Sequence, residues 1–541
     1  MALVAGLLAF VVAALGIGVR AADVGTTAVD EPQYLLTAIS VAEDGDLDIS
    51  DERAAGRDTE FHNGVLPVQT SVLDGGRRVS PHDPLLPLIL APAMSLAGSV
   101  GLPGWVGAKL LLAALAGVLA GATTWLLGTR WPVPPIWAGG VAAVAGMSAP
   151  LAVYGHQVYP ELLAALAVVI AVAAIIPRRD PTAYRVPPWS LRRGVVLVIA
   201  VSALPWLSIK YVPVVAALAI VALLRMRRES TRMAATTLGA FAISGVIWIA
   251  AHLILYGGWT AYATGDHFEE TGEFSVVGVS PDYLARSTRL IGLWVDRDYG
   301  LVAWQPAWLL VFPAASLLFA LSANRRKREH RQRTRPDEEP CTEFGHRNHR
   351  LTGQGGFALH LDVLLVPLAA GLLTATFAAL TMHGFWWPGR QMVVVLPLGA
   401  MVIATAGAWL HTHLAPVARR PIAVTTIALA LSGVAIHAWT LTAGYAGTLT
   451  WVGAANLTPP QPLAVIRGLL PDYRELGGFD WALHFGWVGI TAALVLAGLV
   501  AGARRGAPAN RFETTADSND LRAEPNHVSR DPHTVKDATH R

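Results

Sequence analysis

The sequence predicts an all-α polytopic membrane protein. Of 541 residues, 53% are hydrophobic and only 15% charged, where soluble domains carry about 25% charged residues. Mean hydropathy is +0.45. Apolar runs recur at roughly 20 residues, the length an α-helix needs to cross a hydrocarbon core. Arginines collect in short loops between alternate runs, as membrane topology requires.

The elements follow in order. The first run, Ala2 to Val19, lacks the preceding basic stretch of a cleavable signal peptide and reads as a retained helix. Further spans are expected near 104–127, 135–150, 158–176, 194–207, 208–224 and 233–255. Others fall near 301–322, 357–381, 391–412, 421–441 and 483–503, about twelve in all. With this assignment Arg130, the cluster Arg178 to Arg193, Arg225 to Arg228, "RRKREHRQR" (325–333), Arg419–Arg420 and Arg504–Arg505 share one side. That side is cytoplasmic by the positive-inside rule, and both termini lie there. "DPLLPLILAPAMSLAGSVG" (83–101) is apolar, but counting it as a span would reverse every later loop. It is expected to lie in, or dip into, the outer interface.

Residues 1–505 thus read as one transmembrane unit with a long non-cytoplasmic first loop (20–103) and a charged cytoplasmic insert (323–356). The polar tail, 506–541, has the composition of a disordered cytoplasmic segment. The net charge of +3 and pI near 9.0 reflect membrane topology and imply no nucleic-acid partner. Cys341 is the single cysteine, so no internal disulfide forms.

Candidate chemistry concentrates in the non-cytoplasmic loops. "TTAVDEPQYLLTAIS" (26–40) sets Asp30 and Glu31 at the start of an expected helix, where the dipole favours negative charge. An ionised carboxylate there suits removal of a proton from an attacking hydroxyl, and Tyr34 follows one turn on. Asp44, Asp46, Asp48, Asp51 and Glu52 loosely resemble a calcium loop, but the glycine and the terminal glutamate are out of register. Lys210 in "LPWLSIKYVP" and Arg390 in "GFWWPGRQ" are cations on the side where cations are scarce. A charge near the membrane interior costs about 2.5–3.5 kcal/mol and tends to be functional. With His82, in "SPHDPLLP", they suit an anionic headgroup, arginine offering bidentate phosphate binding. "YGHQVYPE" offers His156, Tyr159 and Glu161, and "LWVDRDYG" offers Arg297 between Asp296 and Asp298, an arrangement equally open to a local ion pair. The chain has no Walker loop, HExxH, CxxC or GxSxG motif, so energy comes from the substrate or an ion gradient.

Taken in order, the Asp30–Glu31 pair with Tyr34, "PHDPLLPLILAP", "PLAVYGHQVYPE", "LPWLSIKY", "VDRDYGLVAWQPAWLL" and "GFWWPGRQMVVVLPL" resemble the GT-C superfamily of polytopic glycosyltransferases. Nearest in pattern are bacterial relatives of the protein O-mannosyltransferases and the aminoarabinose–lipid A transferases. The resemblance covers about residues 20 to 410. It implies a polyprenyl-phosphate-linked sugar donor, an acceptor hydroxyl on a cell-envelope glycan, lipid or protein, and a site on the non-cytoplasmic face. It makes Asp30 the base, with Glu31 beside it. In the aminoarabinose transferases a lysine before the prolines of the interfacial segment meets the lipid phosphate. Histidine, His82, stands near that place here, so Lys210 and Arg390 become the better phosphate candidates. The family's second-loop acid matches Glu161 loosely. No cofactor is implied with certainty, and a divalent metal stays open. The Ala-, Arg- and Trp-rich composition suggests a high-GC bacterium, hence a plasma-membrane location and decaprenyl-phosphate sugars as donors. A transporter or flippase of a lipid-linked intermediate is the alternative. It is disfavoured because the chain shows no two similar halves.

Overall fold

The computed structural model describes residues 1–23, 25–66, 71–131, 133–178, 188–261, 282–334, 360–379, 382–453 and 463–504. Most of the expected insert (335–356), Cys341 and the tail lie outside the described residues. The chain begins with α1 (Ala2–Gly16), α2 (Glu31–Glu43), α3 (Ser50–Ala54) and a two-residue hairpin of β1 (Ser71–Val72) and β2 (Arg78–Val79). It continues through α4 (Leu85–Ser99), α5 (Gly104–Arg130), α6 (Pro135–Gly146), α7 (Leu151–Tyr154) and α8 (Glu161–Ile175). Next come α9 (Leu191–Leu207), α10 (Val212–Glu229), α11 (Thr231–Tyr256), α12 (Tyr283–Ser287), α13 (Arg289–Val295) and α14 (Leu301–Trp304). The last elements are α15 (Val311–Thr334), α16 (Leu361–Leu373), α17 (Leu396–His413), α18 (Pro416–Tyr445), α19 (Leu463–Gly468) and α20 (Gly478–Arg504).

The architecture is all-α, as expected. Among the described residues, eight helical stretches are long and apolar enough to cross a membrane. These are Gly104–Arg130, Ile209–Glu229, Thr231–Tyr256, Pro306–Arg325, Leu361–Ala378, Arg390–His413, Pro416–Tyr445 and Gly478–Arg504. Among the described residues the count of twelve is not confirmed, because the expected spans that fall in α1, α6, α8 and α9 are not among these eight. Helices α1, α4 and α8 have 15 residues and α6 has 12. At about 1.5 Å per residue they fall short of a hydrocarbon core of about 30 Å.

Proline explains two of the differences. The apolar stretches 135–150 and 158–176 contain Pro150 and Pro160; α6 stops at Gly146 and α8 starts at Glu161, with only the four-residue α7 between them. Proline lacks an N–H and pushes the preceding residue out of helical geometry. Residues 147–160 therefore run as an irregular, buried segment around α7. Segment 83–101 becomes α4, packed on α2 and α5.

The layering follows side-chain size and polarity. Helix α17 lies at the centre, with 83% of its apolar stretch buried, against 6% for α11 and 17% for α18. Helix α11 presents Ile243, Val246, Ile247 and Ile254 outward, and burying such a side chain is worth about 1.5–3 kcal/mol. A surface of this kind is stable against lipid, which makes the molecule a multi-pass membrane protein. Close approach is bought with small residues: a Cβ on Gly6 would sit 2.9 Å from the Gly117 carbonyl oxygen, and one on Gly117 2.8 Å from that of Gly6. Helices α1 and α5 therefore pack backbone to backbone.

Candidate functional site

The proline-bounded segment before α8, the start of α2, the turn between α9 and α10, and the loop before α17 meet at one end of the bundle. Each contributes one charged residue. Pro160 precedes α8, so Glu161 occupies its first position. Lys210 lies in a single 3₁₀ turn, Ile209–Tyr211, between α9 and α10. Gly389 has φ +82°, a left-handed conformation open to glycine, and this turns the chain so that Arg390 faces inward.

The four form a chain of contacts. Lys210 Nζ donates to Glu161 Oε1 at 2.6 Å, and Arg390 Nε donates to the same oxygen at 2.8 Å. Arg390 also donates to Asp30 Oδ2 at 3.3 Å. Its guanidinium lies 4.1 Å from the Tyr159 ring centroid and 5.2 Å from that of Trp386. The order is Asp30, Arg390, Glu161, Lys210, with a carboxylate at one end and an amine at the other. Both ends are partly accessible, Asp30 at 18% and Lys210 at 28%, whereas Glu161 is sealed at 1%. Two polar atoms beside this chain, Glu161 Oε2 and the Tyr159 hydroxyl, are buried with no hydrogen-bond partner. Orphaned atoms of this kind call for an explanation, a bound ligand among them.

Tyr34 and His82 complete the lining. Their rings stack at 4.5 Å and 15°, and Tyr34 meets Tyr159 edge-on at 6.5 Å. Burial pushes the His82 imidazole below its ordinary value, with Arg390 and Lys210 adding to the effect against Asp30 and Asp83. The ring is therefore neutral near pH 7 and brings no positive charge to the site.

Glu31 turns away from Asp30. Its carboxylate accepts from the backbone N–H of Ala28 at 2.9 Å and of Val158 at 2.8 Å, and lies 3.4 Å from Lys109 Nζ. Glu31 and Lys109 are both fully buried. Just before this arrangement Val29 sits at φ 55°, a conformation that costs a β-branched residue about 1–3 kcal/mol. The strain falls on the residue immediately before Asp30.

Two expected residues lie elsewhere. His156 packs against Trp451, 4.9 Å between ring centroids, and its Nδ1 donates to the Ala152 carbonyl oxygen at 3.2 Å. Arg297 makes ion pairs with Asp480 at 3.0 Å and Asp472 at 3.7 Å. Asp296 meets His383 at 3.1 Å and Asp298 pairs with Arg467. The ion-pair network formed is long-range and not local, since Arg297 and Asp298 take their partners from Arg467, Asp472 and Asp480. It fastens the loop before α14 to the segment leading into α20.

Sequence reasoning passed over the groups that hold the site from behind. Lys109 donates to the Thr26 carbonyl at 2.7 Å besides pairing with Glu31. His252 pairs with Asp83 at 2.9 Å, Asp83 accepts from the Ile209 N–H at 3.3 Å, and Tyr256 donates to the His82 carbonyl at 3.0 Å. These contacts join α4, α11 and the Lys210 turn. The available signal was a charged or imidazole side chain inside an apolar run, as in "GAKLLLAAL" and "IAAHLILY".

Comparison with family models, curated proteins and solved structures gives no match. The superfamily resemblance therefore stands on the sequence motifs alone.

Proposed function

We propose that the protein is a membrane glycosyltransferase that moves a sugar from a polyprenyl-phosphate donor to an acceptor hydroxyl, with inversion, on the non-cytoplasmic face of a bacterial plasma membrane. The observation that carries this reading is the chain Asp30–Arg390–Glu161–Lys210, with a partly accessible carboxylate at one end and an ammonium at the other. In an inverting displacement the nucleophile and the leaving group lie on opposite sides of the anomeric carbon. The proton acceptor and the phosphate cation must therefore be separated, and the two ends of this chain are.

The reaction has one step. The acceptor oxygen forms a bond to the anomeric carbon as the bond from that carbon to the phosphate oxygen breaks. The hydroxyl proton passes to Asp30, and the electron pair leaves with polyprenyl phosphate. The leaving phosphate gains a negative charge, which Lys210 stabilises with Arg390 behind it. Charges held in place before reaction commonly supply the largest share of catalysis. Glu161 serves by fixing both cations through one oxygen, and Tyr159 and Trp386 hold the guanidinium plane. Neutral His82, beside them, offers hydrogen bonding to sugar or phosphate. A donor that already carries its activation is consistent with the lack of nucleotide-binding motifs.

The test uses the purified full chain in vesicles with a labelled polyprenyl-phosphate sugar and a panel of envelope acceptors. The expected result is release of polyprenyl phosphate together with a product of inverted anomeric configuration. Movement of intact donor across the vesicle membrane, with no phosphate released, would establish the flippase reading instead.

A further inference from the structure

At the end of α2 remote from Asp30 the chain turns through five acids, and they divide into two sets. Asp46 and Asp48 are committed to the turn. Asp46 Oδ1 accepts from Ser40 Oγ and from the Asp48 N–H, both at 2.9 Å. Asp48 Oδ1 accepts from the N–H groups of Ser50 at 3.0 Å and Arg78 at 2.9 Å. Asp44, Asp51 and Glu52 take no part in this. Each instead brings a carboxylate oxygen to within 4.8 Å of the other two. The nearby Arg57 is already paired with Glu43 at 2.6 Å and Glu60 at 3.1 Å.

Glu52 is the informative member. It is 4% exposed, and neither of its carboxylate oxygens has a hydrogen-bond partner. Buried carboxyl groups are ordinarily hydrogen-bonded or coordinate a metal, and Glu52 faces two further carboxylates.

We propose that Asp44, Asp51 and Glu52 bind one calcium-type divalent cation, which fastens the far end of α2 to α3. Three hard oxygen donors without histidine or cysteine select this class over zinc. Calcium–oxygen distances of about 2.3–2.6 Å allow two ligands on one ion to stand about 4.6–5.2 Å apart, whereas magnesium allows about 4.2 Å. The three oxygens, all within 4.8 Å of one another, lie inside the span that calcium allows. Asp44 and Asp51 are exposed, so water completes the shell. The site arises from convergence in space, not from the register of a helix–loop–helix calcium motif. It lies the length of α2, about 20 Å by helical rise, from Asp30, and it stands whether or not the protein is a transferase.

The experiment takes the full chain in detergent, stripped with chelator, through equilibrium dialysis against radioactive calcium and through thermal unfolding with calcium or magnesium chloride. One calcium per chain with a Kd of roughly 0.1–1 mM is expected, with a saturable rise in Tm. Asp51→Asn, at an exposed position that leaves folding intact, and Glu52→Gln should each weaken binding at least about tenfold. Lack of saturable calcium binding by the stripped wild type up to roughly 10 mM would overturn the proposal. So would equal affinity in wild type and Asp51→Asn, and magnesium binding as tight as calcium would overturn the choice of ion.

Discussion

At the residue scale, two adjacent acids have opposite fates. Asp30 reaches Arg390 and solvent, while Glu31 is buried against Lys109 and two backbone N–H groups. Their pairing in the sequence was legible, but their division was not. Which acid faces the site depends on the Val29 backbone and on Lys109, some 80 residues along the chain. Removing one partner of a buried ion pair costs about 3–5 kcal/mol. Lys109→Leu should therefore lower Tm sharply, and adding Glu31→Gln should recover much of the loss, as read by thermal unfolding in detergent. An equal Tm for the single and double variants would mean that the loss does not come from the unpaired Glu31 carboxylate. His82 supplies a pH dependence. Its folded pKa lies below the ordinary value, so below about pH 6.5 the unfolded chain binds a proton that the folded one refuses. Its contribution is present above that pH and lost as pH falls through the window down to the folded value. The drop in Tm between pH 7.5 and 5.5 should thus be smaller for His82→Phe than for the wild type. Identical drops would show that His82 is not held neutral.

At the scale of elements, the apolar runs were readable but their continuity was not. Hydropathy counts side chains, whereas a helix needs an unbroken series of backbone hydrogen bonds. Pro150 and Pro160 interrupt that series, and the irregular backbone they create carries Tyr159 into the site and sets Glu161 at the head of α8. Lys210 and Arg390 were legible as cations out of place, but their shared partner was not. Glu161 was legible as a candidate of its loop, and only the meeting of α8 with the two turns gives it both cations. Glu161→Gln should then destabilise the protein by about 3 kcal/mol, since two largely buried cations lose their common counter-charge. Retention of the wild-type Tm would show that the cations do not depend on it.

At the scale of the whole molecule, burial separates α17 at the centre from α11, α18 and α20 at the rim. Composition alone established the all-α membrane class, but helices that are apolar all round give no sign of which lie inside. Ile243, on the exposed face of α11, distinguishes lipid from protein surroundings. Ile243→Lys carries an insertion penalty of about 2.5–3.5 kcal/mol, and should reduce the yield of membrane-integrated protein resistant to alkaline extraction. An unchanged yield would mean that this face does not meet lipid. The lysine at position 109 is tolerated because Glu31 and the Thr26 carbonyl receive it. The central claim is that these layers exist to hold Asp30 across a sugar from Lys210. Its most direct test is transfer from a labelled polyprenyl-phosphate sugar in membranes carrying wild type or Asp30→Asn at matched expression. Loss of a proton-accepting carboxylate should slow transfer by about a hundred- to ten-thousand-fold, with protein level and Tm near the wild type. Transfer at the wild-type rate by Asp30→Asn would contradict the account.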